Sequence, residues 1–177
     1  SLWKTLDWVT IFIYLLLIVG GWFSVCGASY DYGERDFLDF STRAGKQFMW
    51  IVCSFGLGFI LLMLEDTLYD MFSYIIYIGL ILLLVVTIFI APDTKGSRSW
   101  LILGPVSLQP AEFAKFATAL ALAKYMSAYS FTIKSWKSAL MLAFLILLPM
   151  TLIILQRETG SALVYMAFFL MLYREGM

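Results

Sequence analysis

The chain has 177 residues, of which 62% are hydrophobic and only 14% are charged, and its mean hydropathy is +0.90. Soluble domains average roughly 45–50% apolar and about 25% charged residues, so this composition excludes an ordinary soluble protein and indicates a membrane protein. The formal net charge is zero and there is no histidine, so nothing points to a nucleic-acid partner, and the usual metal ligand and acid–base group are missing.

Helices of membrane-spanning length dominate the chain. About 20 residues of helix cross a hydrocarbon core of about 30 Å. Five segments without internal charge and one polar segment with helical spacing predict six transmembrane helices, at residues 8–26, 48–64, 71–91, 109–126, 138–155 and 159–173. We therefore expect an all-α, polytopic integral membrane protein with a single transmembrane domain over residues 1–177.

Five connectors separate these six helices, and with the N-terminus inside, the three at residues 29–47, 92–108 and 156–158 would be extracytoplasmic. The positive-inside rule does not decide the orientation of the chain in the membrane, because the connectors on both sides of the membrane contain lysines and arginines. The connector at residues 92–108 contains the apolar stretch WLILGPVSL, broken by glycine and proline. Such a stretch at a membrane surface predicts a re-entrant or interfacial segment whose backbone is covered by protein or faces water.

The polar fourth helix begins in SLQPAEFAK. Pro110 suits the first turn of a helix, and Glu112 in that turn is favoured by the helix dipole. Lys115 lies three residues further on, on the same face. The pair is either an ion pair that masks two charges or a charged wall of a membrane cavity, since ionisable residues in membrane segments usually face an interior pathway.

Two further motifs carry charge. In KGSRSW, Arg98 either lies with Trp100 among lipid headgroups or binds phosphate through its planar guanidinium. In QRETGS, Thr159 or Ser161 can cap the following helix, with Glu158 beside its positive end. Without histidine, Glu158 at a membrane boundary is also the most plausible general base.

Together these motifs resemble one family. KGSRSWLILGPVSLQPAEFAK is similar to the signature of the shape, elongation, division and sporulation (SEDS) family of RodA, FtsW and SpoVE, in which Gly-Ser/Ala-x-Arg-Trp leads to Gln-Pro-Ser/Ala-Glu and Lys. ILQRETGSALV resembles the family stretch Gln-Pro-Asp-Leu-Gly-Thr-Ala. The likeness covers the whole chain but only the first six of about ten family helices, so we expect an N-terminal portion, closest to the RodA-like members.

The resemblance implies a peptidoglycan glycosyltransferase of the bacterial cytoplasmic (inner) membrane. It would polymerise lipid II on the extracytoplasmic face and work with a class B penicillin-binding protein, a transpeptidase. Glu158 stands at the catalytic aspartate of the family as the notable departure, one methylene longer. The implied substrate-binding residues are Arg98, Lys115, Glu112 and Gln109, and Arg157, which departs from the family motif, is a further substrate-binding candidate as a nearby cation. The structural motif residues are Gly96, Trp100, Pro110, Gly160 and Ser161.

Two other classes of function stay open at this point. A lipid II flippase also needs a charged intramembrane path, and a non-catalytic scaffold could recruit a transpeptidase through its helices. No residues have the spacing of metal ligands, so no cofactor is assigned, although a divalent cation (Mg or Mn) remains compatible with pyrophosphate chemistry. The sequence does not separate an elongation enzyme from a division enzyme, and does not give the oligomeric state.

Overall fold

The computed structural model describes residues 6–28, 42–93, 96–104, 106–128, 132 and 134–176. Its helices and strands in chain order are α1 (Trp8–Ala28), α2 (Arg43–Met63), α3 (Asp66–Ile90), β1 (Leu101–Leu103), β2 (Val106–Leu108), α4 (Pro110–Met126), α5 (Trp136–Leu155), α6 (Thr159–Val164) and α7 (Met166–Arg174). The predicted helical membrane architecture is confirmed, with one small hairpin added. The chain divides into two compact units, Ser1–Leu64 and Glu65–Met177, each taken by itself below, and the predicted single domain stays a prediction.

Four helices within the described ranges are long and apolar enough to cross a membrane. Their mean hydropathies are 2.3 for α1, 1.6 for α2, 2.7 for α3 and 2.6 for α5. Large apolar side chains cover their exposed faces, which suits helices surrounded by lipid. The other two predicted spans are shorter than these four helices. The helix α4 has 17 residues, and α6 and α7 together form the short apolar segment Thr159–Arg174.

Two helices begin five residues earlier than the apolar runs predicted. The helix α2 starts at Arg43 rather than 48, because the hydroxyl of Thr42 accepts a hydrogen bond from the backbone N–H of Gly45 at 3.1 Å and caps it. The helix α3 starts at Asp66 rather than 71, with that carboxylate in its first turn, where the helix dipole favours negative charge. A search for apolar runs does not detect a polar first turn, so it places the start of such a helix too late.

In the first unit, aromatic contacts join α1 to α2. The indole N–H of Trp22 donates to the carbonyl of Ala44 at 3.0 Å, and its ring lies 5.7 Å from that of Phe48. Before α1, the carboxylate of Asp7 accepts bonds from the hydroxyl and the backbone N–H of Thr10, at 2.6 and 3.2 Å, and these bonds lower the pKa of Asp7. Both contacts fix helix ends at polar positions beside apolar spans.

In the second unit, α4 forms the centre of the core. It packs most extensively against α3 and also contacts α5. One face of α4 is almost fully buried and is made mainly of small side chains, namely Ala111, Ala114, Ala117, Thr118 and Ala121. Small residues let helix backbones approach closely in membranes. The charged residues of α4 therefore lie on a helix that its neighbours hold firmly.

A proline in α5 creates a polar contact with α3. Pro149 has no N–H, so the carbonyl of Leu145, four residues earlier, has no helical donor. The buried hydroxyl of Tyr77 donates to that carbonyl at 2.9 Å. The contact satisfies a carbonyl that would otherwise be costly in an apolar core, and it fixes the position of α5 beside α3.

Candidate functional site

The connector between α3 and α4 contains a β-hairpin that the sequence analysis did not predict. Leu101, Ile102 and Leu103 pair antiparallel with Leu108, Ser107 and Val106. Gly104 reverses the chain with a φ of +65°, in the left-handed region that glycine adopts without strain. A Gly-Pro pair between short apolar runs is a recognised turn signal and could have indicated the hairpin. Whether the segment is re-entrant or interfacial stays a prediction.

The turn after α5 has a defined geometry. The backbone N–H of Arg157 donates to the carbonyl of Ile154 at 2.9 Å, and that of Glu158 donates to the carbonyl of Ile153 at 3.2 Å. Arg157 has a φ of +61°. These features together form a Schellman motif, in which a left-handed residue ends the helix and satisfies its last carbonyls. The turn is short because this motif reverses the chain within two residues.

Gln156 joins this turn to two other segments. Its side chain is fully buried, and its amide N–H donates to the carbonyl of Leu84 in α3 at 3.0 Å. Its backbone carbonyl accepts from the N–H of Arg98 at 3.1 Å and from the hydroxyl of Ser97 at 3.3 Å. Among the described residues, its Oε1 is the buried side-chain atom without a hydrogen-bond partner. The sequence analysis did not single out Gln156.

Glu158 meets the connector through two serines. Its Oε2 accepts hydrogen bonds from the hydroxyls of Ser97 at 2.7 Å and Ser99 at 2.9 Å, and these hydroxyls lie 2.7 Å apart. Ser99 is fully buried, while Glu158 is half-buried. No hydrogen bond or ion pair joins Oε1 of Glu158 to any other residue that the structure describes. One oxygen of the carboxylate is thus anchored and the other is not.

Helix capping does not explain this carboxylate. The helix α6 begins at Thr159 and Glu158 occupies the N-cap position, but its side chain makes no capping hydrogen bond. Thr159 and Ser161 lie inside α6, so the expectation that either of them caps it is wrong. Glu158 instead accepts hydrogen bonds from a segment about 60 residues away in sequence. The contact is tertiary, and helix formation alone does not require it.

The charged pair on α4 has the predicted arrangement. Pro110 occupies the first turn, Gln109 precedes it as N-cap, and Glu112 is the acidic residue of that turn. The ammonium group of Lys115 lies 2.7 Å from the carboxylate of Glu112, with side chains exposed by 24% and 52% respectively. No hydrogen bond or ion pair links this pair to Glu158 in the described part of the chain. The two polar groups are therefore separate clusters.

The side chains of both candidate arginines take no part in these clusters within the described ranges. The side chains of Arg98 and Arg157 are exposed and make no ion pair with any residue in the described ranges. Only their backbones take part in the junction. Counted from Trp100, the arginine of the family motif falls on Ser99 rather than Arg98. The motif therefore does not assign phosphate binding to Arg98, and that role rests on its chemistry alone.

The structural motif residues differ in what the fold requires of them. Gly96 has a φ of +85°, a left-handed conformation that favours glycine, and its N–H donates to the carboxylate of Asp93 at 2.9 Å. Trp100 is 37% exposed. Gly160 lies in helix α6 with open space where a Cβ would be, so nothing in the described structure explains a glycine there. Within the described ranges no group of three metal-ligating side chains comes together.

Comparison with known proteins places the chain in a family. The family model for FtsW, RodA and SpoVE, described as cell cycle protein, matches residues 7–177. The chain is 35% identical, over 72% of its length, to the peptidoglycan glycosyltransferase RodA of Treponema pallidum. It also resembles the crystal structure of the rod shape determining protein RodA of Thermus thermophilus, with a TM-score of 0.84, 27% identity and 99% of the chain covered.

A second similar structure comes from work on the structural coordination of polymerisation and crosslinking by a peptidoglycan synthase complex. It matches with a TM-score of 0.81 at 25% identity over 97% of the chain. The chain spans only part of each relative, namely 29% of the Treponema protein, 55% of the Thermus chain and 48% of the chain from the synthase complex. These likenesses and the apolar spans identify an integral membrane protein.

Proposed function

The chain belongs to the FtsW, RodA and SpoVE family of cell cycle proteins, and from that membership we propose that it is part of a peptidoglycan glycosyltransferase. The enzyme polymerises lipid II into glycan strands and releases undecaprenyl pyrophosphate. The name of the Treponema relative, a peptidoglycan glycosyltransferase, supports this activity. The reaction occurs at the extracytoplasmic face of the bacterial cytoplasmic membrane, where both lipid-linked sugars are available.

In the proposed reaction Glu158 is the general base. It removes the proton from the 4-hydroxyl of the acceptor sugar as that oxygen attacks the anomeric carbon of the donor. A new glycosidic C–O bond forms, the bond from the anomeric carbon to the pyrophosphate oxygen breaks, and the configuration inverts. The observation that supports this role is the half-anchored carboxylate, with Oε2 held by two serines and Oε1 without a partner among the described residues.

Charge on the leaving pyrophosphate requires cationic groups. General-base assistance is typically worth about 10²–10⁴-fold, so positioning and electrostatic stabilisation must supply the remaining acceleration. We assign this role first to Lys115, which Glu112 orients through their ion pair. Arg98 and Arg157 are further candidates, because their guanidinium groups are exposed and unpaired within the described part of the chain.

A transpeptidase partner follows from the same proposal. The similar structure from a peptidoglycan synthase complex comes from work on the coordination of polymerisation and crosslinking. Glycan polymerisation supplies the strands that a transpeptidase crosslinks, so a class B penicillin-binding protein is the expected partner. The RodA name of two relatives favours a role in cell elongation and shape.

A polymerisation assay with lipid II, the full-length protein and its transpeptidase tests the proposal. Glu158→Gln keeps the side-chain size but removes the base, and we expect a rate about 10²–10⁴-fold lower. A normal rate in Glu158→Gln would place the base elsewhere in the full-length protein. Undiminished lipid translocation by a variant without polymerase activity would favour a flippase.

A further inference from the structure

We infer that the second unit binds the headgroup of a zwitterionic aminophospholipid, a lipid with one phosphate and one primary ammonium group, at the end of α3 and α4 remote from Glu158. The site is a cavity between the start of α3 and the last turn of α4, whose lining includes Asp70, Ser73, Leu120, Lys124 and Ser127. We call it the headgroup pocket. The inference goes beyond the proposed function and does not depend on it, because binding there involves no glycosyl transfer.

The headgroup pocket lies at the depth of lipid headgroups. The helix α3 has 25 residues, so it is about 37 Å long and extends beyond a hydrocarbon core of about 30 Å. Asp70 is four residues, or about 6 Å, from the first residue of the helix, Asp66. The polar layer on each side of a bilayer is about 5–8 Å thick. Asp70 therefore lies where headgroups meet hydrocarbon.

The size and the surroundings of the pocket suit a lipid. Its volume is about 200 Å³, whereas sites that enclose whole small molecules usually have about 300–1,000 Å³. The pocket therefore has room for a small polar group only. Beside Asp70, the side chains of Met71, Phe72 and Ile75 are exposed and apolar. A ligand with a polar group in the pocket and apolar chains along α3 matches both features.

The two charges of the pocket are only partly satisfied by each other. The ammonium group of Lys124 donates to Oδ2 of Asp70 at 2.5 Å. In the part of the chain that the structure describes, no other hydrogen bond or ion pair reaches either charged group. An ammonium group has three donors and a carboxylate has two accepting oxygens. Lys124 can therefore bind a phosphate oxygen while Asp70 accepts from a ligand ammonium group.

The charges around the pocket favour a headgroup that carries both signs. Glu65 and Asp66 stand at the start of α3, and the exposed Lys134 and Lys137 stand at the start of α5. A purely anionic lipid would bring its charge towards the carboxylates of α3. A zwitterionic headgroup adds no net charge. A primary ammonium group also donates hydrogen bonds to a carboxylate, which a quaternary choline group cannot do, so the pocket should select ethanolamine over choline.

Retention of lipids by the full-length protein tests the inference. The protein is reconstituted in nanodiscs that contain equal amounts of dioleoyl phosphatidylethanolamine, phosphatidylcholine and phosphatidylglycerol. It is then extracted into detergent, and the retained lipids are quantified by mass spectrometry. We expect the ethanolamine lipid to be enriched about 5- to 10-fold over the other two, as for one additional charge-assisted hydrogen bond.

Matched variants assign the enrichment to the pocket. Asp70→Asn and Lys124→Gln each remove one charge, and each should reduce the enrichment to less than about twofold. Asp70→Glu keeps the carboxylate and should keep the preference. Glu175→Gln is the control, because it breaks the more exposed ion pair with Arg174 and should leave retention unchanged. Loss of a partly exposed pair costs little stability, so these variants should fold, as thermal unfolding will check.

Several outcomes would overturn the inference. Equal retention of the three lipids would show that the pocket does not recognise a headgroup, and a preference for phosphatidylglycerol would make it an anionic-lipid site. Undiminished enrichment in Asp70→Asn, or an equal loss in Glu175→Gln, would place the binding elsewhere. These results require no polymerisation of lipid II, so they stand apart from the outcome for the proposed function.

A thermal measurement provides a second, independent arm. A ligand that binds only the folded protein raises the unfolding midpoint. Adding phosphatidylethanolamine to protein in phosphatidylcholine–detergent micelles should raise the midpoint of the wild-type protein and of Glu175→Gln, and should leave that of Asp70→Asn unchanged. An equal rise in Asp70→Asn, or no rise in the wild-type protein, would contradict the inference.

Discussion

Two carboxylates of the second unit are satisfied in different ways. Glu112 pairs with Lys115 on its own helix, three residues away, and both side chains keep some exposure. Glu158 is bound by two neutral hydroxyls from a distant connector. An ion pair masks a negative charge, whereas among the described residues the partners of the Glu158 carboxylate are neutral hydroxyls, which orient it without neutralising it. The difference suits Glu112 to holding a cation and Glu158 to accepting a proton.

The surroundings of the two carboxylates also differ in how deeply they are buried. The Glu158 junction is built from buried bonds between segments, including the contact from Gln156 to Leu84. The ion pairs of α4 lie nearer the surface, and a second one joins Lys124 to Asp70 at 2.5 Å, with side chains exposed by 29% and 57%. Stability should therefore depend more on the neutral junction than on the ion pairs.

The largest stability effect is expected at Gln156. Gln156→Ala removes a buried hydrogen bond and leaves a cavity, so we expect the free energy of unfolding in detergent to fall by about 1–3 kcal/mol. Gln156→Met is the matched variant, because it fills the space and also removes the unpartnered Oε1. Its effect should be clearly smaller. Equal losses in the two variants would mean that the lost amide contact with Leu84 accounts for the cost and that the vacated space contributes nothing.

A smaller effect on stability is expected at Arg157, where replacement by glycine should stabilise the protein. A left-handed conformation costs a non-glycine residue about 1–2 kcal/mol, and glycine gives back roughly 0.5–1 kcal/mol through greater freedom of the unfolded chain. Arg157→Gly should therefore stabilise the protein by up to about 1 kcal/mol, and Arg157→Val should destabilise it, as measured by thermal unfolding. An unchanged polymerisation rate in Arg157→Gly would remove Arg157 from the pyrophosphate-binding candidates.

The smallest effect is expected at the far end of α4. Asp70→Asn breaks the ion pair with Lys124, and because the pair is partly exposed the cost should be about 0.2–1 kcal/mol and should shrink in high salt. The more exposed pair of Arg174 and Glu175 provides a control in Glu175→Gln, for which no measurable change is expected. A cost above that of Gln156→Ala would reverse the order of importance argued here.

The sequence predicted what depends on apolar length and local spacing. The four long spans follow from uninterrupted apolar runs, and the ion pair of Glu112 and Lys115 follows from a separation of three on a helix. The early start of α2 was missed because Thr42 caps a polar first turn. The break between α6 and α7 at Tyr165 was also missed, since the apolar run continues through it.

The junction around Glu158 could be predicted only in part. The motifs indicated that Glu158 is unusual, but the contacts with Ser97 and Ser99 depend on how a connector folds back across some 60 residues. Two serines at a spacing of two in a polar connector were the available signal. The sequence signal at Gln156 was weaker, because a glutamine at the end of an apolar run indicates only a helix terminus until its burial is known.

The most direct test of the account compares Glu158→Gln with Glu112→Gln in single-turnover polymerisation of lipid II by the full-length enzyme. We expect the rate to fall about 10²–10⁴-fold in Glu158→Gln. In Glu112→Gln the loss should be far smaller, because that residue acts on the reaction only by orienting Lys115. Equal losses in the two variants, or a larger loss in Glu112→Gln, would contradict the assignment of the base to the hydroxyl-bound carboxylate.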